Sequence, residues 1–238
     1  LYRSLTFGDL VELTMMDLRT YRDEQVRFGP RKMATEGRTM LGSEQYNWLL
    51  NKIETSSAKW NMLGNSVMFS PMNLATLQQD DKTKPVSSSL SSNITGIPVN
   101  GDQWDGYSAE RRLLIDALSK HNSHTLFVTG DIHSEWAHNI SKDGRIFGAE
   151  MVCASVSAPN VNEQLKLPEG NELSKLAERY LMGANPHTRH VDLDHHGYSY
   201  VTVHPDSAEM HWLRVDNLLT AKSPVREAVT MTWRPGEG

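Results

Sequence analysis

The sequence predicts an α/β protein with mixed sheets, and three observations carry that prediction. Apolar runs bounded by turn residues alternate with segments of helical period. Several strand-like runs follow one another without an intervening helix, which favours mixed over purely parallel sheets. The chain has 238 residues, 38% hydrophobic and 22% charged, an ordinary globular composition long enough for one large core.

The elements read in chain order as follows. Leu5 to Leu13 is strand-like. Ser43 is a candidate N-cap for a helix carrying Tyr46, Leu49, Leu50 and Ile53 at helical spacing. Trp60 to Phe69 reads as a strand with a glycine break. Residues 78–100, rich in Ser, Thr, Asn and Pro, lack the apolar side chains that offset ordering entropy, and read as an inserted polar loop, a candidate lid. Ser108 caps a second helix with Leu113, Leu114, Ala117 and Leu118. Leu126 to Val128 is a short buried strand ending in Gly130-Asp131-Ile132-His133, and Glu150 to Val156 is another strand. Glu172 to Met182 is helical, with Leu173, Leu176, Ala177, Tyr180 and Leu181 expected on one side. Tyr198 to Val203 and Met210 to Val215 form a hairpin around His204-Pro205-Asp206-Ser207.

Composition also excludes. No run approaches the roughly 20 apolar residues of a membrane helix. A formal charge of −5 argues against a dedicated nucleic-acid binder, which needs a basic face. The single Cys153 excludes an internal disulfide framework and a Cys-rich zinc module. Beginning at Leu1 without a basic or apolar leader, the chain reads as a piece of a longer polypeptide.

Candidate chemistry concentrates at strand ends. Asp131 and His133, leaving a buried strand through Gly130, offer an oxygen and a nitrogen donor suited to Fe, Mn or Zn; the bland alternative is a loop Asp beside an unrelated His. The second Asp-x-His, Asp194-His195-His196, reads better as supporting histidines, because neighbours on a strand point to opposite faces. In Gly101-Asp102-Gln103-Trp104-Asp105-Gly106-Tyr107, either Asp could be a helix cap, while Trp104 and Tyr107 bracket Asp105 as if to contact something. Arg19 and Arg22 offer fork-shaped donors for phosphate or else close a strand. Asn185-Pro186-His187 completes the set. A two-metal phosphoesterase centre needs about seven or eight ligands; Asp105, Asp131 and His133 supply three, half a site.

In one order, the chain carries Met16-Asp17-Leu18-Arg19-Thr20-Tyr21-Arg22, Leu41-Gly42-Ser43-Glu44-Gln45-Tyr46-Asn47-Trp48-Leu49, Trp60 to Phe69, Trp104-Asp105-Gly106-Tyr107, Gly130-Asp131-Ile132-His133-Ser134, Ser155-Val156-Ser157-Ala158-Pro159 and Asn185-Pro186-His187. With these motifs it resembles the C-terminal half of the alkaline phosphatase D (PhoD-like) metallophosphoesterases, a family that includes actinobacterial calcium-dependent phospholipase D enzymes. The resemblance implies an αββα sandwich around an iron–calcium centre (Fe3+ and Ca2+, with manganese or zinc as alternatives). By position His133 would ligate iron, and Asp105 and Asp131 would serve calcium. Arg19, Trp104, Tyr107 and His187 would bind substrate, with Trp104 and Tyr107 at the pocket mouth. The family's other ligands, including a Cys that is not Cys153, lie in a first half outside this sequence.

The expected function is therefore metal-dependent hydrolysis of phosphate esters, foremost a phosphodiesterase acting on phospholipid or glycerophosphodiester-type substrates. No side chain serves as nucleophile; a metal-bound hydroxide attacks phosphorus in line. The alternatives are an alkaline phosphomonoesterase of the same family and a non-catalytic, degenerate binding module. The resemblance further implies secretion, and a second chain of the same precursor carrying the N-terminal half, because a core split here would expose sheet edges.

Overall fold

A computed structural model of the chain describes residues 1–26, 30–76, 96–98, 100–121 and 124–236. The chain opens with a hairpin, β1 (Arg3–Phe7) and β2 (Val11–Met15), antiparallel through a turn at Gly8. The expected single strand from Leu5 to Leu13 is thus two. Gly8 takes φ 58°, a left-handed turn position that breaks an extended run.

After a short α1 (Pro30–Met33), α2 (Ser43–Thr55) packs Leu49 and Ile53 inward. Its cap is Gly42 rather than Ser43, which is already the first helical residue; the Thr39 hydroxyl accepts the Gly42 N–H at 2.7 Å. β3 (Trp60–Asn65) ends before Phe69, shorter than the sequence run. β4 (Asn73–Thr76) and β5 (Gly96–Pro98) form a small antiparallel pair. The polar loop expected at 78–100 otherwise lies outside the described residues, Asn100 excepted.

A 3-10 turn over Trp104–Tyr107 leads into α3 (Ser108–Leu118), so Ser108, too, is inside its helix rather than capping it. β6 (His124–Thr129), β7 (Glu135–Lys142) and β8 (Arg145–Val152) follow, then α4 (Val161–Gln164), α5 (Glu172–Ala184) and β9 (Thr188–Asp192). β10 (Gly197–Val203), β11 (Ala208–Val215) and β12 (Val225–Trp233) close the described chain.

Seven strands form one mixed sheet in the order β1-β2-β3-β6-β8-β7-β9, with β2, β3, β6 and β8 mutually parallel. The period-two rule divides its faces. Leu63 and Phe127 point to a core shared with Leu49, Leu114 and Leu118 of the helices. Trp60 and Leu126, three residues and one residue away, point to the other face and pack on Met210, Trp212 and Trp233 of the antiparallel β10-β11-β12 sheet. Helices, large sheet and small sheet are three stacked layers.

α5 corrects one expectation. Ala177 and Leu181 pack inward, but Leu173, Leu176 and Tyr180 are more than half exposed. The helix buries the stripe through Ser174 and Ala184 instead, one residue's rotation away.

Candidate functional site

The four parallel strands end together at Met15, Asn65, Thr129 and Val152, and the loops leaving them converge on one edge of the sheet. In open α/β sheets that edge is where ligands bind. Its floor is a fully buried polar cluster. Glu150, on β8, accepts the backbone N–H groups of Phe69 and Ser70, both at 2.7 Å, and the Thr129 hydroxyl at 2.8 Å. Burial pushes its carboxyl up despite those donors. Asn65 joins by donating to Thr129 Oγ1 at 3.0 Å, and accepts the Trp104 indole N–H at 3.0 Å. The loops after β3 and β6 are thereby tied to one carboxylate.

From this floor the chain turns sharply. Asp131 and His133 adopt φ 74° and 54°, left-handed values that cost a side-chain-bearing residue about 1–3 kcal/mol each. Such strain persists where the surroundings impose it, here the buried Trp136 indole bonded at 2.7 Å to the Ser134 hydroxyl just beyond the turn. The turn presents both side chains outward, Asp131 with 40% of its side chain exposed.

Arg19, on the loop after β2, reaches across to this turn. Its Nη2 lies 3.3 Å from Asp131 Oδ1, while Nη1 bonds both oxygens of Asp102 at 2.8 and 2.7 Å. Arg22 also pairs with Asp102, at 2.9 Å. Burial raises the Asp102 pKa, but the hydrogen bonds from Arg19 and Arg22 outweigh it and hold the carboxyl below its ordinary range. Asp17 accepts the N–H groups of Arg19 and Thr20, both at 3.0 Å, fixing the loop. Sequence reasoning treated Asp102 as a possible cap; the arginine pairing that gives it a role spans 83 residues and leaves no local signal.

The other candidates lie elsewhere in the packing. Asp105 is buried, paired with Arg111 at 2.7 Å and accepting the Met72 N–H at 3.2 Å. Burial pushes its pKa up against the pull of Arg111. Trp104 and Tyr107 do not form a pocket mouth in this chain, since both are at 0% exposure. Trp104 meets Phe69 edge-on at 5.2 Å, and the Tyr107 hydroxyl donates to the Asp23 carbonyl at 2.6 Å. Aromatic residues beside glycines in a turn had suggested ligand contact; here the turn folds inward and its rings fill the core.

His187 places Nε2 2.9 Å from the Pro71 carbonyl and its ring 5.3 Å from that of buried His138. Desolvation pushes its pKa down to about 4. Together with Ser70, Arg111 and Asn139 it lines a cavity of about 660 Å³ beside α3 and β7. His195 and His196 lie in the connection before β10 rather than on the strand, and they still turn to different partners. His195 bonds Asp192 at 2.8 Å and Glu169 at 3.2 Å, whereas His196 faces the Ser155 carbonyl at 3.1 Å and Glu163 at 3.0 Å.

A cation would find donors of matching chemistry in Asp131 and His133, a carboxylate and an imidazole two residues apart on a preformed turn. Among the described residues no group of three or more His, Cys, Asp or Glu is placed to hold one, and Asp105 is engaged by Arg111. The two donors are an open pair, not a closed cage. Beside the turn, a second cavity of about 480 Å³ is lined by Met15, Met62, Met151, Gly130, Cys153 and Tyr200.

The fold and sequence have relatives. PhoD, a solved structure, superposes with a TM-score of 0.76 over 99% of this chain and 42% of its own length, at 24% identity, which speaks for the fold alone. Alkaline phosphatase D of Bacillus subtilis (strain 168) is 32% identical over 217 residues, 86% of this chain and 32% of that protein. The chain thus spans about a third of the length of that curated relative. The family model for the PhoD-like phosphatase matches residues 1–212. With its parallel strand ends, its Gly130–Ser134 turn and a match over most of its length, the chain belongs to the PhoD-like phosphatase family.

Proposed function

We propose that this chain supplies one side of a metal-dependent phosphoric-ester hydrolase centre, foremost for phosphodiesters of the phospholipid or glycerophosphodiester kind. The observation that carries the reading is the Arg19 guanidinium 3.3 Å from Asp131, on the strained turn at the end of β6 that also carries His133. Hydrolysis of a phosphate ester calls for a positive field on the phosphoryl oxygens. His133 and Asp131 would hold the cations, iron on the imidazole and calcium on the carboxylate. When bound, such ions supply Lewis-acid activation of the phosphoryl group and of water.

This chain's own residues do the rest of the positioning. Arg19, already clamped by Asp102, presents its second nitrogen toward the Asp131 side, where a phosphoryl oxygen could take the place of that carboxylate. The Glu150 cluster keeps the β3 and β6 loops in register. A metal role for Asp105 requires its pair with Arg111 to open, and one for His187 in substrate binding requires access through the cavity it lines.

The remaining ligands, the second half of an αββα sandwich and its outer helical layer would come from another segment, on the same polypeptide or as a separate chain of a secreted precursor. The apolar 480 Å³ cavity and the exposed Leu5 and Phe7 of edge strand β1 support a further contact there.

The test is calorimetric titration of Fe3+, Mn2+ and Ca2+ into the wild-type chain and its Asp131→Ala and His133→Ala variants. Loss of binding in both is expected; unaltered binding in both sinks the reading. Assay with bis(p-nitrophenyl) phosphate against p-nitrophenyl phosphate then separates diester from monoester preference. The monoesterase reading is favoured by the name of the Bacillus relative, alkaline phosphatase D. Retained metal without turnover of either ester would instead support a binding module, which the Asp105–Arg111 pair favours.

A further inference from the structure

The two ring nitrogens of His133 have different surroundings. Nδ1 stands 3.2 Å from the backbone carbonyl of Pro159. A carbonyl accepts and cannot donate, so this contact selects the tautomer with hydrogen on Nδ1 and leaves the Nε2 lone pair free. What aims the imidazole is therefore whatever holds the Pro159 carbonyl.

That carbonyl sits in the loop 155–160, which is fastened at both ends. At the first, the Ser155 carbonyl accepts the Gly197 N–H at 3.0 Å and lies 3.1 Å from His196 Nδ1. The Ser155 hydroxyl oxygen in turn accepts the N–H groups of Ser157 and Ala158, at 3.1 and 2.6 Å. At the second, Asn160, at 0% exposure, donates through Nδ2 to the Asp194 carbonyl at 2.8 Å. The Asn160 backbone N–H donates to Glu163 Oε2 at 3.0 Å, and the same oxygen lies 3.0 Å from His196 Nε2. One carboxylate oxygen therefore joins both anchors of the loop. Gln164, next along α4, adds a hydrogen bond to the Pro159 carbonyl itself at 3.3 Å.

We propose that Glu163, through Asn160 and His196, is a positioning residue that fixes the Pro159 carbonyl and with it the tautomer and aim of His133. The alternative is that Glu163 only caps the short α4, with no consequence for a ring 30 residues away. This inference rests on reading His133 as a functional imidazole. Supporting hydrogen bonds of this kind change metal affinity about 10- to 100-fold when removed.

The test is long-range 1H–15N NMR of the whole chain with 15N-labelled histidine, at a pH where the His133 ring is neutral, with His133 assigned by His133→Gln. Wild type should show His133 as a single Nδ1–H tautomer. Glu163→Ala should move its two nitrogen shifts toward a tautomer mixture and weaken Mn2+ binding about 10-fold or more. Glu163→Gln, which keeps an acceptor for the Asn160 N–H, should restore most of both. The Glu163 side chain is 44% exposed, so the alanine variant is expected to fold; His196→Gln, which cuts the link from the other side, should shift His133 as well. Wild-type His133 found as the Nε2–H tautomer, or unmoved shifts in both folded variants, overturns the proposal. Tautomer shifts as expected in a chain that binds no Mn2+ would fail the hydrolase reading and leave this one standing.

Discussion

Asp105 and Asp131 show how the same residue type acquires opposite properties from its neighbours. Asp105 is buried against Arg111, whose side chain is only 11% exposed. Removing one member of a buried ion pair strands the other charge, so Asp105→Ala should cost about 3–5 kcal/mol in urea denaturation, with Asp105→Asn losing less. Asp131 is half-exposed and pays backbone strain, with an exposed arginine contact worth at most about 1 kcal/mol. Glycine relieves the left-handed penalty, so Asp131→Gly should leave stability unchanged or raise it by about 1 kcal/mol while abolishing cation binding. A destabilised Asp131→Gly protein would show that the carboxylate is there for packing. The sequence made both aspartates equal candidates because a motif shows neither burial nor an arginine six residues on that folds back.

At the scale of elements, amphipathic period and strand alternation were readable, and two faces of the large sheet follow from them. β7, β9 and β12 went unread. β7 carries Glu135, His138 and Asn139 among its buried residues, and its polar–apolar pattern makes sense only beside Arg214, His190 and Thr188 on other strands. α5 was readable as a helix but not in its rotation, since Leu173, Leu176 and Tyr180 form as good a stripe in sequence as the one that is buried. Leu176→Ala should therefore change stability by less than about 0.5 kcal/mol, and Leu114→Ala on α3, at 0% exposure, by about 2–5 kcal/mol. Equal losses in thermal unfolding would refute the assigned faces. Gly197 opens β10 where a Cβ would collide with the Leu213 carbonyl of β11; Gly197→Ala should disrupt that pairing, read as faster amide exchange in both strands.

For the molecule as a whole, the three layers are joined by polar ties across apolar faces. The Trp212 indole donates to the Val152 carbonyl at 3.0 Å and Arg214 bonds buried Glu135, docking the small sheet on the large one. Buried histidines add a pH dependence. Desolvation lowers the pKa of His138 well below its ordinary value, and His138 Nε2 has no partner among the described residues. His187 is lowered from 6.5 to about 4. Between those values the unfolded chain takes up protons that the folded chain refuses, so stability should fall as pH drops from about 6.5 toward 4. Urea midpoints across that window check it; His187→Gln should flatten the slope, and an unchanged slope would place the acid sensitivity elsewhere.

What the sequence determined by itself was local: helix and strand periods, the glycine turn that lifts Asp131 and His133 off the end of β6, and the family resemblance that the matched residues 1–212 bear out. These depend on neighbours along the chain, where residue order is the whole of the information. The tertiary structure alone decided which candidate side chains stay available. Trp104 and Tyr107 went to the core, Asp105 to Arg111, and Asp131 to an edge shared with an arginine 112 residues earlier. Burial and ion pairing are set by contacts between distant segments, and a carboxylate or aromatic ring is chemically available only where those contacts leave it open to solvent.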